Sequence, residues 1–149
     1  MELFRLGKSK YAKDFSGEGA RIYGGRWNSE GVPAVYFGSS RSLAVLEVLV
    51  HLPTDLVPDN FCMAHFEVDV PFKEILLKDL PTNWNDYPFL KQVQLIGNQF
   101  FKDNQFLLLK VPSALVQHEY NYIANPLHQD INKIKLTENL NFSFDKRLL

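Results

Sequence analysis

The run FCMAHFEVDV at residues 61–70 alternates residue by residue. Cys62, Ala64, Phe66, Val68 and Val70 fall on one side; Met63, His65, Glu67 and Asp69 fall on the other. Successive side chains of an extended chain point to opposite faces, so this run reads as a strand with an apolar face and a wetter one. Similar short runs recur outward in both directions. Residues 2–6 (ELFRL), 74–80 (EILLKDL), 106–111 (FLLLKV), 119–124 (EYNYIA), 131–136 (INKIKL) and 141–145 (NFSFD) all read as strands. Arg26-Trp27-Asn28 and Ala34-Val35-Tyr36-Phe37 bracket the turn residues 29–33 and suggest a β-hairpin.

Two stretches are helical instead. Ser39 or Ser40 offers an N-cap to 41–51 (RSLAVLEVLVH), and Pro53 stops that helix. Pro88 opens a second pattern, with Phe89, Val93, Ile96 and Phe100 at helical spacing. Many short strands with two helices, and no repeated strand–helix–strand unit, predict an α+β domain built on antiparallel sheets.

The chain has 149 residues, which suits a single domain spanning 1–149. A hydrophobic share of 46% and a charged share of 22% exclude wholesale disorder. A net charge of -1 argues against a general polyanion binder, so no direct nucleic-acid contact is expected. Cys62 is the single cysteine, which leaves no intramolecular disulfide and no cysteine cluster for zinc. The four histidines are scattered without metal-ligand spacing, so no metal is expected. The first residues have no apolar core of signal-peptide length, and the apolar run Leu43–Leu52 is interrupted by Glu47 and His51. A membrane span needs about 20 apolar residues, so the expected setting is the cytoplasm, with no membrane partner.

The charges are unevenly placed. Four of the five arginines (Arg5, Arg21, Arg26 and Arg41) lie in the first 41 residues, which carry +3 against -4 for the remainder. Such a skew marks either a solvated basic surface or a local site for phosphate or carboxylate, which arginine grips bidentately. Five of the eight glycines lie between residues 16 and 31, forming either an ordinary surface loop or one that approaches a ligand.

Glu47 is the only ionisable residue between Arg41 and His51, on a helix otherwise apolar nearly all round. Ala44, Glu47 and His51 share one stripe of it. Glu47 therefore either faces a cleft or pairs with His51 at an exposed edge, because a carboxylate buried alone is costly. Tyr36, at a strand end, either packs there or stacks on a flat heterocycle. Ser113 follows a strong strand and is either a turn serine or part of a site. No base stands beside it in a hydrolase motif. Asn121 and Asn125 suit turns and sheet edges.

Several segments in this order resemble one family. They are FRLG (4–7), GGRWN (24–28), AVYFGSS (34–40), LAVLEVLVH (43–51), GN (97–98), VPSALV (111–116), EYNYIANPLH (119–128) and DKRL (145–148). Together they are similar to the RES-domain family, mostly bacterial toxins of toxin–antitoxin pairs. The resemblance implies a fold like the ADP-ribosyltransferase toxins, a split antiparallel β core with a ligand cleft between sheets. It implies an enzyme that consumes NAD as substrate, splitting nicotinamide from ADP-ribose by hydrolysis or phosphorolysis. Transfer of ADP-ribose to a cellular protein is the alternative activity. A non-enzymatic nucleotide- or phosphate-binding module is the alternative from another class. The family's arginine, tyrosine, glutamate and serine fall on Arg26, Tyr36, Glu47 and Ser113. Arg5 lines the same cleft, and Asn121 joins Arg5, Arg26 and Tyr36 as an expected NAD contact. The implied partner is an Xre-like helix-turn-helix antitoxin that blocks the cleft, in an assembly where the toxin itself often pairs.

These residue types suit the chemistry. Breaking the nicotinamide–ribose bond passes through an oxocarbenium-like state, as glycosidic cleavage does. The leaving group departs as a neutral pyridine, so no general acid is needed and one carboxylate suffices.

Overall fold

The computed structural model describes residues 1–53 and 59–149. Seven strands and three α-helices occur among them. In chain order they are β1 (Glu2–Lys8), α1 (Glu18–Tyr23), β2 (Val35–Gly38), α2 (Arg41–Leu49), β3 (Phe61–Glu67), β4 (Phe72–Glu74), α3 (Lys91–Asp103), β5 (Leu108–Pro112), β6 (Tyr120–Ala124) and β7 (Lys135–Phe142). The strands form one sheet in the order β4-β5-β6-β2-β1-β3-β7. All neighbours are antiparallel except β4 and β5, which run parallel. The α+β class expected from the strand pattern is the class observed.

The join between β1 and β2 shapes everything near it. Their register consists of a single pair, Phe4 with Gly38. By contrast β1 pairs with β3 over all seven of its residues, from Glu2–Glu67 to Lys8–Phe61. The sheet is therefore almost divided into a β4-β5-β6-β2 half and a β1-β3-β7 half, hinged at Phe4 and Gly38.

One face of the sheet buries Leu3, Val35, Phe37, Ala64, Phe66, Leu108 and Ala124 together. Strand alternation puts their neighbours on the opposite face. There α3 brings Val93 and Phe100 against Leu109, Val111 and Ile123, while α2 brings Ala44 against Phe4, Leu6 and Met63. The two longer helices thus cover the two halves of one face, and the space between them lies over the division.

Local chemistry explains the helix ends. Ser40 caps α2, its hydroxyl accepting from the Leu43 amide at 3.1 Å. Helix α3 ends at Asn104, which adopts a left-handed φ of 49°. Gly97 lets α3 seat on the chain at Trp27, since a Cβ there would stand 1.8 Å from the Trp27 carbonyl oxygen.

Several expectations need correction. Met63 is buried under α2, so its side of β3 is not uniformly wet. No hairpin joins 26–28 to 34–37. Gly25 and Asn28 form only an isolated bridge, while β2 pairs with β1 and β6. The glycine-rich segment contains α1 and is not all loop. Strand β4 ends at Glu74, and a 3₁₀ turn occupies Leu77–Asp79. The strands expected at 131–136 and 141–145 are one strand, β7, preceded by a 3₁₀ turn at Ile131–Lys133. Helix α3 begins at Lys91, after Pro88 and Phe89.

Candidate active site

A cleft of about 970 Å³ opens where β1 and β2 part. It lies at the upper end of the ~300–1,000 Å³ range of ligand pockets. Arg5, Arg26, Tyr36, Glu47 and Asn121 all line it. Ser113 is not among its walls, although its neighbours Pro112 and Ala114 are.

Arg5 extends from β1, and its Nη1 donates to the Asp14 carbonyl at 2.7 Å. Burial pulls its pKa down, opposed by the nearby Asp14 charge. Arg26 donates from Nη1 to two carbonyls, Trp84 at 3.0 Å and Asp86 at 2.8 Å. Its guanidinium also lies 5.1 Å from the centre of the Phe89 ring. Burial lowers its pKa too, and the charge of Glu47 leads the opposing effects. Both remain cations at neutral pH, because arginine begins far above it.

The remaining arginines behave differently. Arg21 pairs with Glu18, Arg41 with Glu138 and Arg147 with Asp145. Among the described residues, Arg5 and Arg26 are the two arginines without a carboxylate ion pair. The solvated reading of the charge skew holds for Arg21 and Arg41, which are exposed.

Glu47 stands in the last turn of α2, and Ala44, Val48 and His51 line the cleft with it. Its hydrogen-bond partner among the described residues is neutral: Asn121 Nδ2 donates to Glu47 Oε1 at 2.7 Å. The pairing with His51 considered from sequence is not the one formed. Two other carboxylates border the cleft but are engaged elsewhere. Asp14 accepts from the Ser16 amide, and Glu18 holds Arg21.

Tyr36 presents its ring to the cleft and its hydroxyl to the interior. The hydroxyl donates to Asn28 Oδ1 at 2.5 Å and accepts from the Trp27 amide at 3.2 Å. Burial raises its pKa, so the phenol stays neutral. Asn28 is fully buried and donates to the Ala20 and Val32 carbonyls. Gln94 on α3 donates to the Gly25 and Asn28 carbonyls. A Cβ at Gly25 would lie 2.7 Å from the Tyr36 hydroxyl, so only glycine allows this turn to close over the ring.

Ser113 is buried, and its hydroxyl accepts from the Leu115 and Val116 amides, both at 3.1 Å. It shapes the turn between β5 and β6, the structural alternative weighed for it. Asn125 likewise serves a turn, accepting from the Leu127 amide at 3.1 Å.

The RES domain family model matches residues 2–145. The chain belongs to the RES domain family. The "Toxin Res" of Photorhabdus laumondii is 42% identical over 154 residues, spanning 100% of this chain and 97% of that protein. The "Prs ADP-ribosylating toxin" of a Sphingobium species is 38% identical over 145 residues, spanning 93% and 88%. The fold matches the M. tuberculosis MbcT–MbcA toxin–antitoxin complex with a TM-score of 0.77 at 17% identity, over 95% of this chain and 84% of that one.

Other walls of the RES cleft were not read from sequence as site residues. Tyr87, Phe89 and His51 form an aromatic group, with ring centres 5.2 Å apart for Tyr87–Phe89 and 6.2 Å for His51–Tyr87. Two of these rings come from the segment before α3, which is remote in sequence; Phe89 read from sequence as part of the helix, and no periodicity marks Tyr87. Asn28 was visible only as part of GGRWN. Among the described residues, Glu2, His65 and Glu67 also bring their ligand-type atoms within 4.8 Å of one another, which histidine spacing did not reveal. His65 there contacts Glu2 at 3.2 Å, and none of the three lines the cleft. No described helix is long and apolar enough to cross a membrane.

Proposed function

We propose that this chain is a RES toxin that cleaves NAD at the nicotinamide–ribose bond. One observation carries the reading: the two arginines that have no carboxylate ion pair among the described residues, and a carboxylate whose hydrogen-bond partner among them is neutral, face one cleft. The pyrophosphate supplies the anion that Arg5 and Arg26 lack, through charge-assisted bonds of about 1.5–3 kcal/mol each. Glu47 then stabilises the positive charge that develops on the ribose as neutral nicotinamide leaves. The Tyr36 ring offers a stacking surface for the flat pyridine. Ser113 acts by shaping the β5–β6 turn that leads into Asn121. The whole chain, residues 1–149, serves as one catalytic domain acting in the cytoplasm, and depletion of NAD arrests growth.

Transfer of ADP-ribose to a protein is the second reading, favoured by the Sphingobium relative's being named an ADP-ribosylating toxin. The same cleft serves both, and only the acceptor differs. Around its mouth Tyr23, Val50 and Tyr87 are exposed apolar residues, 81%, 54% and 72% accessible. Such a rim suits occlusion by an Xre-like antitoxin, in an assembly where toxin chains pair.

The test is incubation of purified protein with NAD and measurement of nicotinamide release. NAD left intact at high protein concentration, free of antitoxin, would sink the reading. Radiolabelled NAD added to a cell lysate separates the two acceptors, since a labelled protein band means transfer and its absence beside free ADP-ribose means hydrolysis.

A further inference from the structure

Asn121 reaches the cleft from β6, and its amide has a fixed direction. Nδ2 donates to Glu47 Oε1 at 2.7 Å. Oδ1 is buried and has no hydrogen-bond partner among the described residues. Turning the amide over would place that oxygen against a carboxylate oxygen, two acceptors with no proton between them. A buried acceptor left unpaired is unfavourable, and the fold tolerates it so that the donor can stay on Glu47. The backbone holds the residue rigidly as well. Asn121 pairs in register with Gly38 on one side and Val111 on the other. Gly38 in turn lies just before the Ser40 cap of α2, so the strand carrying Asn121 and the helix carrying Glu47 are braced at two points.

We propose that Asn121 is a positioning residue for Glu47, acting through the carboxylate and not by gripping NAD. This deepens the NAD-cleaving reading and rests on it. One Glu47 oxygen is tied to Asn121, which leaves the other to face the ribose. A neutral donor is needed because a cation there would quench the charge that stabilises the oxocarbenium-like state. The charged and titratable groups lining the cleft with Glu47 are Arg26 from the turn after α1, Tyr36 from β2, His51 just past the end of α2, Arg5 and Asp14, Glu18 and Tyr23 from α1, and Tyr87 from the segment before α3. None of them lies on β6 beside Asn121.

The experiment compares nicotinamide release by wild type, Asn121→Ala and Asn121→Asp from about pH 5 to pH 8, with kcat and KM separated. Misplacing a reacting group costs roughly 10–100-fold, so Asn121→Ala lowers kcat by that factor with KM within about threefold. Asn121→Asp sets two carboxylates against each other. They share one proton, and the pair is competent only while that proton is held. Its kcat is therefore at least as low as that of Asn121→Ala at pH 8 and recovers as the pH falls toward 5, whereas a merely structural defect shows no such recovery. Should Asn121→Ala fail to fold, the isosteric Asn121→Asp carries the test, prepared near pH 5 where the protonated acid keeps the contact. The proposal is overturned if Asn121→Asp follows the wild-type pH profile or if the loss lies in KM alone. Wild type that releases no nicotinamide overturns the underlying reading, and this one with it. An active wild type with indifferent Asn121 variants overturns this one only.

Discussion

The hydroxyl of Tyr36 donates to the side-chain oxygen of Asn28 at 2.5 Å, tying β2 to the turn that carries Arg26. Because the same hydroxyl accepts from the Trp27 amide, its polar end is consumed by the scaffold. The ring is what remains for a ligand.

Replacing Tyr36 by Phe leaves the Trp27 amide and Asn28 Oδ1 without partners. Stability falls by about 1–3 kcal/mol in denaturant unfolding. The ring persists, so Tyr36→Phe retains more nicotinamide release than Tyr36→Ala when both are assayed well below their unfolding midpoints.

The same phenol gives an alkaline limit. Burial raises its folded pKa, whereas the unfolded chain ionises near the ordinary value of about 10. Its contribution is complete below that value and is lost as the pH climbs toward the folded pKa, because the unfolded state releases the proton first. The slope is about 1.4 kcal/mol per pH unit for one proton. Unfolding free energies at increasing pH above 9 therefore fall more steeply for wild type than for Tyr36→Phe, and equal slopes would contradict the assignment.

Arginine substitutions should sort by partner. Arg5→Ala and Arg26→Ala each raise KM for NAD, by roughly 10–150-fold if a full charge-assisted contact is lost. Arg21→Ala removes only an exposed pair with Glu18 and leaves KM within about twofold. A turnover loss with KM intact at Arg26 would contradict a phosphate-gripping role.

Gly97→Ala probes the packing of α3. The added methyl would meet the Trp27 carbonyl at 1.8 Å, so helix and turn must separate. Overpacking of this kind costs about 3 kcal/mol, or roughly 6–12 °C in Tm for a chain of this size. A thermal scan with an unchanged midpoint would mean that the contact is looser than described.

Much of this was legible in the sequence, for physical reasons that differ by element. The 61–70 alternation and the Ser40 cap are local signals, and both produced their elements. Glu47 stood out because a lone carboxylate on an apolar helix demands an explanation. The hairpin expected around residues 29–33 failed because local turn chemistry says nothing about strand partners. Residues 26–28 are held by the Asn28 and Gln94 side chains, contacts 66 and 69 residues apart for Gln94. The division of the sheet at Phe4–Gly38 was expected only through the resemblance to a split-core family and not from the residues themselves, since register between β1 and β2 is a property of the assembled fold. The Asn121–Glu47 contact spans 74 residues, and neither residue's neighbours announce it.

The central claim is that Glu47 stabilises charge as the nicotinamide–ribose bond breaks. Glu47→Gln keeps the shape and an oxygen for Asn121 but removes the charge. Removing one preorganised electrostatic group of this kind lowers turnover about 10²–10³-fold. The decisive measurement is nicotinamide release from NAD by wild type and Glu47→Gln at equal protein concentration, with thermal midpoints matched. The account predicts release by wild type and a loss of that size in the variant. Equal rates in the two proteins would contradict it.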